Sequence, residues 1–325
     1  METNMKSLRN RWFYGALAIL GMLPCTPAIH AQLSDTSARV PVKMTVTANV
    51  DSQKRAPVIN LQDVLVKSGN EQLTINEWVP AREDRAGLEL FILIDDAADW
   101  RLGSQLDVVR SFIKDQPAST LTGVGYMSNA GVQILQDLTS DHVLAANAIR
   151  LPIGIVGPFG SPYLSVVDLM KRWPASENRH EVVMITDGID RRGGNRGMFR
   201  GYWLNPDADA ASAMAQKTGT NIHSIYTPGN GRMYRGFWPA TNGQTNLARL
   251  SDATGGMSFY LGLRSAVSFE PYFKDLQRSL NNQYLLSISM TPEKKARLQR
   301  VDISTEVAGV DFASHDAVWV PAAKR

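Results

Sequence analysis

The stretch Leu88-Glu-Leu-Phe-Ile-Leu-Ile-Asp-Asp-Ala-Ala-Asp99 decides the fold class of this 325-residue chain. It is a nearly unbroken apolar run that ends in acids, which is typical of a strand buried on both faces of a parallel sheet. Residues 181–186 form a second such run, which is followed by Asp187-Gly188, and residues 221–226 are predicted to form a further strand. Shorter strands are predicted at 122–127 and 132–135.

Apolar residues at helical spacing separate these strands. The spacing predicts helices over 102–113, 140–149, 164–173, 206–217, 246–254 and 269–280, with Ser140 as an N-cap and Pro206 at a first helical position. Strands that alternate with helices predict an α/β fold with a doubly wound, mostly parallel sheet flanked by helices, of the Rossmann-like class.

Short β segments flank this α/β region on both sides. Residues 44–50, 63–67 and 72–78 alternate in the manner of strands and predict a small antiparallel β-unit. Residues 300–306 and 317–321 predict closing strands on the sheet edge or against the N-terminal unit. We therefore divide the chain into a signal peptide (1–31), a flexible start with a small β-unit (32–86), the α/β domain (87–285) and a C-terminal β extension (286–325).

The first thirty-one residues have the layout of a secretory signal peptide. Lys6, Arg9 and Arg11 precede an apolar run at 12–23, and Ala31 precedes Gln32. We expect cleavage and an exported protein, periplasmic or secreted, with no membrane span after cleavage; an uncleaved anchor is the alternative. The only cysteine, Cys25, lies in this segment, so the mature chain has no disulfide framework and no cysteine-based zinc site.

The charge balance argues against nucleic acid as the partner. The chain has 34 Lys and Arg against 31 Asp and Glu, and loss of the signal leaves 31 against 30. A nearly neutral chain lacks the basic surface on which electrostatic binding to nucleic acid depends.

Three segments at the predicted strand ends and loops resemble a known metal site. They are Asp95-Asp-Ala-Ala-Asp99, Gly160-Ser-Pro-Tyr163 and Thr186-Asp-Gly188. Their order resembles the metal-ion-dependent adhesion site of von Willebrand factor A (VWFA) domains, where Asp-x-Ser-x-Ser, a Thr and an Asp supply the ligands. Residues 44–78, 247–260 and 283–288 extend the resemblance to exported bacterial VWFA-related proteins. The resemblance implies binding of a protein or cell-surface partner at the crevice formed by the strand ends.

The sequence departs from the family pattern at this site, which is therefore degenerate. Ala97 and Asp99 stand where the family has serines, and Ser161 stands where it has threonine. Asp95, Asp99, Ser161 and Asp187 still offer oxygen ligands for Mg²⁺, the only candidate cofactor. The alternative is that these side chains cap helices or hydrate the crevice.

A near repeat supplies a second candidate surface. Met198-Phe-Arg-Gly-Tyr-Trp203 and Met233-Tyr-Arg-Gly-Phe-Trp238 follow two strands that we expect to be adjacent. Trp, Tyr and Arg are enriched at binding hot spots. The alternative is a self-packed lid, in which arginines stack on aromatic rings. The candidate partner-binding residues are Phe199, Arg200, Tyr202, Trp203, Tyr234, Arg235, Phe237 and Trp238.

Catalytic motifs are missing from the sequence. It has no H-E-x-x-H pair, no Gly-x-Ser-x-Gly elbow and no P-loop. We therefore expect a non-catalytic binding protein. Two alternatives stay open: a structural module of an envelope complex, and an Mg²⁺-dependent phosphoryl-transfer enzyme that uses the strand-end acids together with Arg101 or Arg191.

Overall fold

The computed structural model describes residues 39–50, 57–154, 160–191, 205–230, 236–260 and 266–323. The predicted signal peptide, the hexapeptide at 198–203 and residues 233–235 lie outside the described residues.

Fifteen strands and six α-helices are assigned in these ranges. The strands are β1 (Val40–Val50), β2 (Val64–Ser68), β3 (Glu71–Gln72), β4 (Thr74–Pro80), β5 (Leu88–Asp95), β6 (Thr120–Ser128), β7 (Gly131–Thr139), β8 (Arg179–Thr186), β9 (Thr220–Tyr226), β10 (Ser258–Phe259), β11 (Gln283–Met290), β12 (Arg297–Arg300), β13 (Asp302–Thr305), β14 (Val310–Ser314) and β15 (Ala317–Val320). The helices are α1 (Leu106–Lys114), α2 (His142–Asn147), α3 (Pro162–Arg172), α4 (Pro206–Thr218), α5 (Phe237–Ala253) and α6 (Glu270–Asn281). None of these helices is both long enough and apolar enough to span a membrane.

The central sheet has six strands in the order β10-β9-β8-β5-β6-β7. The pairs from β10 to β6 are parallel, and only β7 at one edge runs antiparallel to its neighbour β6. The predicted α/β class with a mostly parallel sheet is confirmed.

Helices cover both faces of this sheet because β5 is apolar on both sides. Leu90, Ile92 and Ile94 pack with the apolar faces of α1 and α6, whereas Phe91 and Leu93 pack with α3, α4 and α5. Successive strand residues point to opposite faces, so one unbroken apolar run supplies two cores.

Several helices begin at residues that differ from the prediction. Helix α1 begins at Leu106 and not at residue 102, because Trp100–Gln105 form a 3-10 helix. Asp141, not Ser140, caps α2, and its side chain accepts a hydrogen bond from the Leu144 N–H. Helix α5 begins at Phe237, not at residue 246, so Phe237 and Trp238 lie in its first turn and not in a loop. Gly243 and several polar residues interrupt the apolar periodicity of α5. For this reason the sequence pattern does not predict the first half of the helix.

The N-terminal strands pair with strands from the C-terminal end of the chain. The second sheet has the order β14-β1-β11-β4, and β2 pairs with β13 and β3. The expectation that the three N-terminal segments form an antiparallel unit by themselves is therefore wrong for the strand pairing, because β1 pairs with β11 and β14 and not with β2. The expected contact between C-terminal strands and the N-terminal ones is confirmed. The four-part division of the chain stays a prediction.

The second sheet meets the central one through buried polar groups. The Glu181 carboxylate in β8 accepts hydrogen bonds from His223 Nε2 and from Gln283 Nε2, both at 2.7 Å. The Met257 N–H donates to His223 Nδ1 at 3.0 Å, which places the imidazole proton on Nε2. His315, between β14 and β15, contacts Asn221 Oδ1 through its Nε2 at 2.8 Å. Hydrogen bonds between buried polar groups of this kind help to fix the register between two packed sheets.

The burial of His315 makes the fold sensitive to acid. Burial lowers the pKa of His315 to about 4, although the Glu181 charge acts in the opposite direction. In the unfolded chain, the His315 imidazole takes up a proton near pH 6.5. The stability that the buried neutral imidazole contributes is therefore complete above that pH and is lost as the pH falls towards 4. We expect His315→Gln to remove about 3 kcal/mol of the stability difference between pH 7 and pH 4. Urea unfolding of wild type and His315→Gln at several pH values measures this difference. An equal loss of stability between pH 7 and pH 4 in the two proteins would show that His315 is not responsible for the acid sensitivity.

Candidate functional site

The carboxyl ends of β5 and β8 are joined directly by side chains. Thr186 Oγ1 donates a 2.7 Å hydrogen bond to Asp95 Oδ2, and Asp95 Oδ1 accepts from the Ala97 N–H at 2.9 Å. Both carboxylate oxygens of Asp95 therefore serve to hold the strand end and the turn that follows it. Asp187 follows Thr186 on the next strand and is likewise buried.

A buried arginine lies between these two acids. The Arg191 guanidinium forms an ion pair with Asp187 Oδ2, and its Nη1 lies 3.9 Å from Asp95 Oδ2. The Arg191 backbone N–H donates to the Gly160 carbonyl at 2.7 Å, and Nη1 donates to the Ile189 carbonyl at 3.3 Å. Burial raises the pKa of Asp187 to about 6, against the lowering effect of Arg191. The strand ends thus contain their own cation.

The neighbouring acids also pair with arginines. Arg150 forms two hydrogen bonds with Asp96, at 2.7 and 2.8 Å, and lies over the ring of Tyr126. Asp99 Oδ1 accepts from the Arg101 N–H at 2.9 Å and lies 3.4 Å from the Arg101 Nε. Each of the three acids in the segment at 95–99 therefore lies beside a different arginine.

Ser161 is engaged between two helices. Its hydroxyl caps α3 by accepting from the Leu164 N–H, and it donates to Asp207 Oδ2 in α4 at 2.9 Å. The serine that stands in the place of the family's threonine thus fixes the relative position of two helix N-termini.

These contacts do not fit a resident magnesium ion. Of the four predicted ligands, Asp95 and Asp187 come together around Arg191, whereas Asp99 and Ser161 turn to other partners. Across the described ranges, no group of three or more acidic, histidine or cysteine side chains is placed to hold a metal. The cavity beside Asp95, Ser161 and Arg191 measures about 20 Å³, room for about one water.

Three glycines bring the surrounding backbone close to Asp187. A Cβ atom on Gly243 of α5 would lie 2.0 Å from the Asp187 carbonyl oxygen, and one on Gly229 would lie 2.0 Å from Asp187 Oδ2. Gly188 has φ of +66°, which favours glycine. Sequence reasoning used Gly188 only as part of a motif and gave Gly229 and Gly243 no role in the site.

Two of the eight predicted partner-binding residues are described, and both are exposed. Phe237 is 58% and Trp238 is 61% exposed, and their rings form an edge-to-face pair with centroids 5.2 Å apart. The other six, Phe199, Arg200, Tyr202, Trp203, Tyr234 and Arg235, lie outside the described residues. β8 and β9, which precede the two hexapeptides, are adjacent as expected.

An apolar groove at the same edge of the sheet was missed by sequence reasoning. Trp100, Leu151 and Val267 line a groove of about 630 Å³, with Phe269 and Gln105 deeper in the wall. Trp100 is 72% and Val267 is 93% exposed. Among the described residues that line it, Arg101 is the only charged one. The one local signal was Trp100, a large aromatic residue directly after the acidic segment.

Comparisons with known proteins return solved structures that resemble this chain at low sequence identity. No family model matches the chain, and no curated protein matches it. An aerotolerance-related membrane protein from Bacteroides fragilis is 14% identical, with TM-score 0.43, over 60% of this chain and 99% of its own. BatB from Bacteroides thetaiotaomicron is 15% identical, with TM-score 0.42, over 59% and 97%. The VWA domain of SpRpn10 is 14% identical, with TM-score 0.37, over 58% and 93%.

The α/β part of the chain has a mostly parallel six-stranded sheet with one antiparallel edge strand and helices on both faces, an architecture of the Rossmann-like class.

The close contact between α5 and the Asp187 backbone leads to a prediction. Gly243→Ala should destabilise the protein by about 1–3 kcal/mol, because the added Cβ overlaps the Asp187 carbonyl. Helix propensity alone acts in the opposite direction, since alanine is favoured over glycine by about 1 kcal/mol.

Urea unfolding measures the change. Gly131→Ala is the matched control, because its Cβ would lie 3.6 Å from the nearest atom, an ordinary contact. A Gly243→Ala protein at least as stable as the wild type would contradict the packing described.

Proposed function

We propose that this VWFA-like chain is a non-catalytic interaction module that binds a protein partner at the carboxyl edge of its central sheet. The observation that carries the proposal is the apolar rim at this edge, defined by Trp100, Leu151 and Val267 around the groove and by Phe237 and Trp238 at the start of α5. All five side chains are more than half exposed.

The grouping of these side chains supports recognition. Single exposed apolar residues are ordinary on protein surfaces, whereas a contiguous apolar patch marks an interaction site. Three large apolar side chains share one groove here, and its volume of about 630 Å³ lies within the range of ligand-binding clefts. Tryptophan at the mouth of such a groove buries a large area with little loss of rotamer freedom, which is why it is common at binding hot spots.

The charge of the groove suggests the chemistry of the partner. The Arg101 side chain is 58% exposed and lies on a wall to which the described residues contribute no carboxylate. A partner segment with apolar side chains beside a carboxylate would fill the groove and pair with this guanidinium. The partner would then bind at this open groove and not in the closed crevice where the resemblance implies binding.

The paired acids favour a binding role over catalysis. Metal-assisted phosphoryl transfer needs carboxylates that are free to ligate and a cation that is free to meet phosphate. Arg191, one of the two arginines considered for that role, is buried against Asp187 and Asp95, so neither its charge nor these carboxylates are open to a phosphate or a metal. A structural module of an envelope complex is the second candidate, and it would use the same rim as a permanent interface.

The rim can be tested without knowing the natural partner. Random peptides displayed on phage should yield binders that combine apolar residues with an acidic one. Trp100→Ala and Arg101→Gln should each weaken a selected peptide by about tenfold or more, as expected for a hot spot and its charged neighbour. Fluorescence anisotropy of the labelled peptide measures the change.

Matched controls separate the rim from general surface effects. Val143, in α2 and also 58% exposed, lies near the opposite edge of the sheet, so Val143→Ser should leave peptide affinity unchanged. Trp238→Ala tells whether the α5 aromatic pair belongs to the same surface. Equal affinities for wild type, Trp100→Ala and Arg101→Gln would exclude the groove as the binding site.

We further propose that the protein acts after export and cleavage of residues 1–31. The basic start and apolar run at 12–23 support this. The mature protein recovered from the periplasm or medium of an expressing bacterium should begin at Gln32, as read by N-terminal sequencing. Leu17→Glu, which interrupts the apolar run, should keep the chain in the cytoplasm. Recovery of wild type from membranes with Met1 retained would instead support the anchor.

A further inference from the structure

We propose that Arg191 is the permanent cation of the crevice, and that its guanidinium excludes a divalent ion from the space between Asp95 and Asp187. The crevice then needs no metal, and it becomes a divalent cation site only when Arg191 is replaced. This inference is independent of the partner-binding groove.

The first support is the position of the guanidinium. It pairs with Asp187 Oδ2 at the end of β8, and its Nη1 lies 3.9 Å from Asp95 Oδ2 at the end of β5. These are the two predicted metal ligands that the fold brings together. The cation is thus placed where oxygen ligands from two strands converge.

The second support is that the guanidinium is fixed in place. The residue is 8% exposed, its backbone is held by the Gly160 carbonyl, and Nη1 donates to the Ile189 carbonyl. The turn at Gly229 lies directly on the ion pair, because a Cβ there would come within 2.7 Å of Arg191 Nη2 and 2.0 Å of Asp187 Oδ2. A surface arginine that samples many rotamers would not be enclosed in this way.

The third support is electrostatic. Two carboxylates buried at adjacent strand ends repel each other and lose hydration, so they require a positive partner. Arg191 supplies it by covalent attachment. A divalent ion entering the same space would have to displace the guanidinium and its hydrogen bonds or sit beside a like charge. Either route opposes metal binding while Arg191 is present.

Removal of Arg191 should reverse the preference. Arg191→Ser leaves the oxygens of Asp95 and Asp187 beside an enlarged cavity and adds a hydroxyl, a donor set suited to a hard divalent cation with several waters. We expect Arg191→Ser to be less stable than wild type in EDTA and to recover in Mn²⁺, with a Tm increase of about 5 °C or more at saturation. Wild type and Arg191→Lys, which keeps the charge, should show no Mn²⁺-dependent shift.

The test uses purified protein in EDTA and in millimolar Mn²⁺. Thermal unfolding measures the Tm under each condition, and the electron paramagnetic resonance signal of Mn²⁺ measures binding of the ion. Arg150→Ser is the matched control, since it also removes an arginine from a buried aspartate, although Arg150 itself is partly exposed, and it leaves the single carboxylate of Asp96. It should lose stability without recovery in Mn²⁺. This contrast separates a new metal site from general stabilisation by salt.

Two outcomes would overturn the inference. One is saturable Mn²⁺ binding by the wild type that Asp187→Asn abolishes, because the guanidinium would then not exclude the ion. The other is a folded Arg191→Ser protein that neither binds Mn²⁺ nor gains stability from it. If Arg191→Ser does not fold in EDTA, refolding on addition of Mn²⁺ supports the inference, and failure to refold in Mn²⁺ overturns it. Peptide binding at the groove is measured separately and does not depend on either result.

Discussion

The pairing of buried carboxylates with arginines is the constraint on which the carboxyl edge of the sheet depends. An ionised carboxylate removed from water costs several kcal/mol unless it is paired, so each acid of the segment 95–99 needs a partner. Arg150 binds Asp96 and thereby draws residues 150–154 over the sheet end, where the Ile153 N–H also donates to Asp96. This places Leu151 beside Trp100. The apolar rim is therefore arranged by the charges beneath it.

Glycines set the distances within which this arrangement works. Gly243 lets α5 approach the backbone of Asp187, and Gly229 lets the turn after β9 lie on the Asp187–Arg191 pair. The Gly229 contact covers the ion pair itself, and the Gly243 contact covers the backbone that carries Asp187. The same approach of α5 carries its first turn to the carboxyl edge, where Phe237 and Trp238 are exposed. One close helix–strand contact thus influences both the closed crevice and the open rim.

The fold was predictable because its strands are encoded locally, whereas the site was only partly so. The apolar run at 88–94 indicates a strand that is buried on both faces. The N-caps Ser161 and Asn205 fix where α3 and α4 begin. Strand pairing between β1 and β11 joins residues about 240 apart, and no local pattern specifies it. Asp95 and Asp187 could be placed together because parallel strand ends share an edge. The position of Arg191 depends on side-chain packing after the strand, which spacing does not reveal.

A fixed cation and an exchangeable one favour different modes of recognition. A bound metal offers open coordination positions to a partner carboxylate, and the strength of that bond can dominate affinity. The Arg191 guanidinium is buried and bonded to Asp187 and to the Ile189 carbonyl, and the adjoining cavity has room for about one water. In the proposed binding mode, affinity comes from apolar burial on the rim, and Arg101 at the groove wall orients an acidic group of the partner. Binding of this kind responds to the shape of the partner and not to the supply of divalent ions.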